Sequence, residues 1–127
     1  MTKFKSQDFI AKIENARHGI NLALRAEKNL RVHVMVATLV VIAGAILHVG
    51  CLKLSILLVT IAIVVLAEML NSALEFAVDA LYKNKYSRLV KFAKDISAGA
   101  VLFVSFIAVL VGLLIFIPEI INLLITN

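Results

Sequence analysis

Five polar residues stand in an otherwise apolar part of the chain: Glu68, Asn71, Ser72, Glu75 and Asp79. Counted from Glu68, the others follow after three, four, seven and eleven residues. At about 100° per residue they share one face of a helix. Three carboxylates on one stripe repel one another unless cations neutralise them. A divalent metal is the natural counter-ion, and an all-oxygen donor set favours magnesium or manganese. Basic partners lie further on, where Lys91, Lys94 and Asp95 precede the small run Ala98-Gly99-Ala100, which lets helices approach closely. Glu27 stands just before another apolar segment and can reach the same neighbourhood. No G-x-x-x-x-G-K-[ST] loop, kinase signature or serine elbow is present. An enzyme built from these parts would hold a nucleotide with metal, carboxylates and lysines.

The elements that must position this stripe are membrane helices. Of 127 residues 62% are hydrophobic, with a mean hydropathy of +1.03; soluble domains run at roughly 45–50% apolar. So short a chain could not bury that much apolar surface in water. An all-α integral membrane fold follows, as one domain over residues 1–127. Residues 1–31 read as an amphipathic surface helix, with Phe9, Ile13, Ile20 and Leu24 on one face and Lys12, Glu14, Arg17 and Lys28 on the other. Three membrane helices are expected over 32–49, 54–82 and 92–117. Gly50-Cys51-Leu52-Lys53 reads as a tight turn between the first two, and Pro118 as the end of the third. Met1 to Leu30 contains no continuous apolar run, so no cleaved signal is expected there.

Charge sets the orientation. Seven Lys and Arg precede the first span, one (Lys53) lies between the first and second, five between the second and third, and none after it. By the positive-inside rule the N-terminus and the second loop are cytoplasmic, as befits a plasma (inner) membrane protein. With the second span starting near Leu54, Glu68 lies roughly 7 Å inside the cytoplasmic boundary, where a charge costs at least about 2.5 kcal/mol. Such residues face a protein interior and usually function. The net charge of +5 does not point to nucleic acid, because the basic blocks flank apolar segments and lack interleaved aromatics. Cys51 reads as a small apolar residue near a membrane face, and His18, His33 and His48 as interfacial side chains.

Two stretches, Ala67-Glu68-Met69-Leu70-Asn71-Ser72-Ala73-Leu74-Glu75 with Val78-Asp79, and Ala93-Lys94-Asp95-Ile96-Ser97-Ala98-Gly99-Ala100, resemble the two signature blocks of the bacterial diacylglycerol kinase family. Gly19-Ile20 and Arg25-Ala26-Glu27-Lys28-Asn29-Leu30-Arg31 extend the likeness over about Phe9 to Pro118. The resemblance implies an ATP-dependent lipid kinase with a surface helix and three spans, working as a homotrimer with shared active sites. It implies Glu68 as the base acting on the lipid hydroxyl and Asn71 as a group orienting its surroundings. It implies Glu27 and Glu75 as ligands of the magnesium that bridges nucleotide phosphates. Lys94 and Asp95 resemble an ATP-binding pair, with Asn15, Asp79 and the loop Lys85-Tyr86-Ser87 as further nucleotide contacts. Ser87 stands where many relatives carry histidine. The Lys-Asp-Ile-Ser-Ala-Gly-Ala-Val block and Asn-Leu-Arg-Val-His look more like the undecaprenol branch of the family than the diacylglycerol branch.

Two other classes compete. A small ion-coupled transporter also uses embedded carboxylates, but it should thread polar residues to the outer face, and the outer halves here are almost wholly apolar. An assembly subunit of a larger membrane complex would need no such stripe.

Overall fold

The computed structural model describes residues 9–83 and 87–126. Within them the chain forms four helices and no strand: α1 (Phe9–Ala26), α2 (Lys28–Ile46), α3 (Cys51–Tyr82) and α4 (Arg88–Thr126). The last three are long and apolar enough to cross a membrane. Their outward faces carry large exposed apolar side chains such as Leu39, Leu66 and Phe103, as expected where lipid is the solvent.

The amphipathic segment is shorter than its periodicity predicts. α1 ends at Ala26, and Glu27 adopts an extended conformation before α2 begins. No Pro or Gly forces this break. Arg31 stabilises it by donating from its guanidinium to the carbonyls of Leu24 at 3.1 Å and Arg25 at 2.8 Å. Those carbonyls belong to the last turn of α1, where helix continuation no longer satisfies them. A residue one turn into α2 thus caps α1 and fixes the bend between them.

The α2–α3 turn also differs from expectation. It occupies Leu47 to Gly50, and Cys51 already begins α3. His48 takes the left-handed conformation (φ 51°). Its amide bonds Ala45 at 3.2 Å and that of Val49 bonds Gly44 at 3.0 Å, the double closure of a Schellman motif. Gly50, the expected breaker, instead caps the start of α3 with an ordinary φ of −58°.

Pro118 does not end α4, which runs on to Thr126. Membrane helices tolerate proline because neighbouring groups offset the lost hydrogen bond. Here the next residue is pinned, as Glu119 pairs with Lys53 at 2.7 Å.

α3 is the centre of the fold. α2 and α4 pack along it on either side but scarcely touch each other, and α1 rests mainly on α2. Val49, Leu57 and Ile115 form a small buried cluster at the Lys53 end, flanked by Val40, Val111 and Phe116. At the opposite end Lys94 pairs with Asp79 at 2.6 Å. The two ion pairs fix the antiparallel register of α3 and α4. Eleven residues from Asp79 along α3 is Glu68, and eleven residues from Lys94 along α4 is Ser105. Counting from Lys53 and Glu119 puts Glu68 level with Val104, within one residue of the same answer.

Candidate functional site

Among the described residues three polar side chains are buried, and all belong to the α3 stripe: Glu68 (3% exposed), Asn71 (8%) and Ser72 (2%). The burial of Glu68 agrees with the protein-facing position that its depth in the membrane predicts. Ser72 donates to the Glu68 carbonyl at 3.0 Å, so its hydroxyl is consumed by its own helix. The Asn71 amide donates to the Glu75 carboxylate at 3.2 Å. That bond turns the Asn71 carbonyl oxygen to a buried position where it has no protein partner. A buried acceptor left unmatched is costly, so it is available to a donor that arrives with a ligand.

Glu68 interacts with the charges of Glu27, Glu75 and His33. Glu27 comes from the α1–α2 break, and its half-buried side chain makes no capping bond to α2. The fold therefore gathers Glu27, Glu68, Asn71 and Glu75 into one neighbourhood from two separate helical segments. Asp79 and Lys94 form a second group about 16 Å along α3 from Glu68, at 1.5 Å per residue. Asp95 follows Lys94 on an exposed face of α4. Asn15 is exposed on α1. Ser87 sits immediately before α4, where its carbonyl accepts the first helical bond from Lys91 at 3.0 Å. Lys85 and Tyr86 lie outside the described residues.

No group of three or more His, Cys, Asp and Glu side chains able to hold a metal by themselves occurs among the described residues. Magnesium is commonly bound by one or two carboxylates, with phosphate oxygens and water completing the shell. Glu75, which accepts from the Asn71 amide, and Glu27, near enough to Glu68 for their charges to interact, are carboxylates of the kind that smaller donor set uses.

Two residues gained a place that the sequence reading missed. His33, read as interfacial, is level with Glu68. Gly44 packs against Leu57, and eleven residues from each of these, in opposite directions, are His33 and Glu68. Ser105, read as a minor break in an apolar run, is level with Glu68 on the other side. Its buried hydroxyl has no partner, unlike those of Thr38, Ser55, Thr60 and Ser72, which bond carbonyls four residues back. Depth across three helices is a property of their packing, and no single segment displays it.

The sequence pattern of the family "Prokaryotic diacylglycerol kinase" matches residues 14–116. A protein of Synechocystis sp. named diacylglycerol kinase is 35% identical over 107 residues, which are 84% of this chain and 61% of that protein. The undecaprenol kinase of Bacillus subtilis is 35% identical over 111 residues, covering 87% of this chain and 89% of that one. The chain thus spans about three fifths of its cyanobacterial relative and most of its Bacillus relative.

Proposed function

We propose that this chain, which belongs to the prokaryotic diacylglycerol kinase family, is an ATP-dependent lipid kinase that moves the γ-phosphate onto the hydroxyl of a membrane lipid. The observation that carries this reading is the burial of Glu68 and Asn71 in a membrane-length helix, with the Asn71 amide donating to Glu75 and its oxygen left without a protein partner. Glu68 accepts the proton of the lipid hydroxyl. The lipid oxygen then bonds to the γ-phosphorus as the bond to the bridging oxygen breaks, and ADP departs. Such a reaction asks the protein for positioning, charge neutralisation and a base.

Glu27 and Glu75 would hold magnesium, which would neutralise phosphate charge. Asn71 keeps Glu75 oriented and offers its carbonyl oxygen to the bound ligands. Lys94 exchanges Asp79 for phosphate, while Asp79, Asp95, Asn15 and the loop of Lys85, Tyr86 and Ser87 contact the nucleotide. The basic ends face the cytoplasm, where ATP is found, and the protein lies in the plasma membrane as a homotrimer whose sites are shared between copies. Undecaprenol is the favoured acceptor; the alternative is diacylglycerol, which the name of the Synechocystis relative supports.

Magnesium-dependent transfer of labelled γ-phosphate to undecaprenol and to diacylglycerol, measured side by side in detergent, tests the reading. A clear preference identifies the acceptor. No transfer to either by a folded protein rejects the kinase reading.

A further inference from the structure

Arg25-Ala26-Glu27-Lys28-Asn29-Leu30-Arg31 contains no Pro or Gly, and apart from Asn29 every residue in it is a good helix former. Left to propensity, α1 and α2 would be one continuous helix. Glu27 interrupts it alone. Its amide donates to the Ala23 carbonyl at 2.8 Å, the last rung of α1, and its carbonyl accepts from the Arg31 amide at 3.4 Å, the first rung of α2. Between those two bonds its own backbone is extended, with φ −99° and ψ 116°.

A continuous helix would do two things here. The carbonyls of Leu24 and Arg25 would accept from the amides of Lys28 and Asn29, four residues on. Glu27 and Arg31, also four apart, would share one face with the acid nearer the N-terminus, the favourable order for an ion pair. The structure does neither. Nη1 of Arg31 donates to both carbonyls, at 3.1 and 2.8 Å. Among the described residues no Lys or Arg pairs with Glu27. One guanidinium therefore ends α1 and withholds its charge from the carboxylate four residues before it. Glu27 is left near enough to Glu68 for their charges to interact, and like charges brought together favour a cation between them.

We propose that Arg31 is a positioning residue: by capping α1 it holds the break at Glu27 and keeps that carboxylate unpaired for a divalent cation. The proposal rests on the lipid-kinase reading for the magnesium and adds to it the group that makes one ligand available.

Arg31→Met removes the donors and keeps side-chain length and helix propensity. The last turn of α1 should then run on into α2, giving the amides of Lys28 and Asn29 the carbonyls of Leu24 and Arg25 and redirecting Glu27. Hydrogen exchange at those two amides, read by NMR on the full chain in detergent, should slow by about tenfold or more. The dissociation constant for magnesium with a non-hydrolysable ATP analogue should rise by about tenfold or more. The KM for magnesium-ATP should rise with it, and the KM for the lipid acceptor should not move.

Lys28→Pro supplies the break by another route. Lys28 is exposed at the first position of α2. Proline suits that position and pushes the residue before it into the extended region, which Glu27 already occupies. Alone, Lys28→Pro should change neither the exchange of Asn29 nor analogue binding. Added to Arg31→Met it should return both to wild-type values, a rescue that general loss of stability would not allow.

Unchanged exchange in Arg31→Met, or slowed exchange with unchanged analogue binding, overturns the proposal. Weak binding that Lys28→Pro leaves unrestored, while Asn29 exchanges freely again, also overturns it, because Arg31 then acts on the nucleotide itself. Failure of the kinase reading looks different: wild-type protein with fast-exchanging Lys28 and Asn29 amides then binds no analogue and transfers phosphate to no lipid, and the proposal falls with that reading.

Discussion

At one end of α3 Lys53 pairs with Glu119 beside a buried cluster of Val49, Leu57 and Ile115; at the other Asp79 pairs with Lys94 beyond Glu68, Asn71 and Ser72. The two ion pairs are alike in length, 2.7 and 2.6 Å, and reversed in polarity. α3 contributes the lysine at one end and the carboxylate at the other, so a slip of one turn between α3 and α4 breaks both. What they enclose differs. The Lys53 end buries only apolar side chains near its pair, which is how a membrane helix hairpin is held. The Asp79 end buries a carboxylate and an amide whose oxygen has no protein partner, an arrangement that detracts from stability unless a ligand completes it. One end joins an ion pair to an apolar core; the other joins one to buried polar groups that only the proposed chemistry would use.

The sharpest way to break that division is at Glu68. Glu68→Gln keeps the shape and removes the proposed base. Turnover should fall by about 10²–10⁴-fold, the range that general-base catalysis commonly supplies, while the folded state and magnesium-ATP binding persist. Near-normal turnover with either lipid would remove Glu68 from the chemistry.

Next comes Ile115, 7% exposed in the apolar cluster. Ile115→Ala leaves a cavity and should cost roughly 2–5 kcal/mol, read as a lower thermal midpoint in detergent, with specific activity of the folded fraction little changed. If turnover per folded molecule fell with stability unaltered, the two ends would be coupled and the division would fail.

Glu75→Gln separates the two roles inside the reactive end. It removes a charge near enough to act on Glu68 but can still accept from Asn71. The apparent KM for magnesium-ATP should rise about tenfold, equivalent to about 1.4 kcal/mol, and excess magnesium should restore part of the loss. Unchanged magnesium-ATP binding would leave Glu75 as a support for Asn71 only.

Much of this division is legible in the sequence, and the remainder is missing for identifiable reasons. The stripe from Glu68 to Asp79 is a property of one helix, so spacing alone displays it. Three long apolar segments announce themselves by composition. The break at Glu27 leaves no Pro or Gly to mark it, because Arg31 makes it by capping a turn that precedes it in the chain. Pro118 misleads in the other direction, since the rule that proline stops helices belongs to water, and membrane helices tolerate the lost hydrogen bond. His33 and Ser105 read as incidental polar interruptions. Only the register of α3 against α2 and α4 brings them level with Glu68.

The smallest expected effect concerns that register at the Lys53 end. Lys53 and Glu119 are both partly exposed, with side chains 45% and 22% accessible, so their attraction is weakened by solvent and the pair should be worth about 0.5–1 kcal/mol. Glu119→Gln should lower the thermal midpoint slightly, more at low salt than at high salt because screening already weakens the native pair. It should leave turnover alone, since Glu119 lies about 21 Å along α4 from Ser105, the residue level with Glu68. The same measurement on Asp79→Asn should behave differently. That change frees Lys94 at the reactive end, so its effect belongs in magnesium-ATP affinity more than in thermal stability. Equal effects of both substitutions on stability, with none on nucleotide affinity, would show two structural clamps of one kind and would remove Asp79 and Lys94 from the nucleotide site.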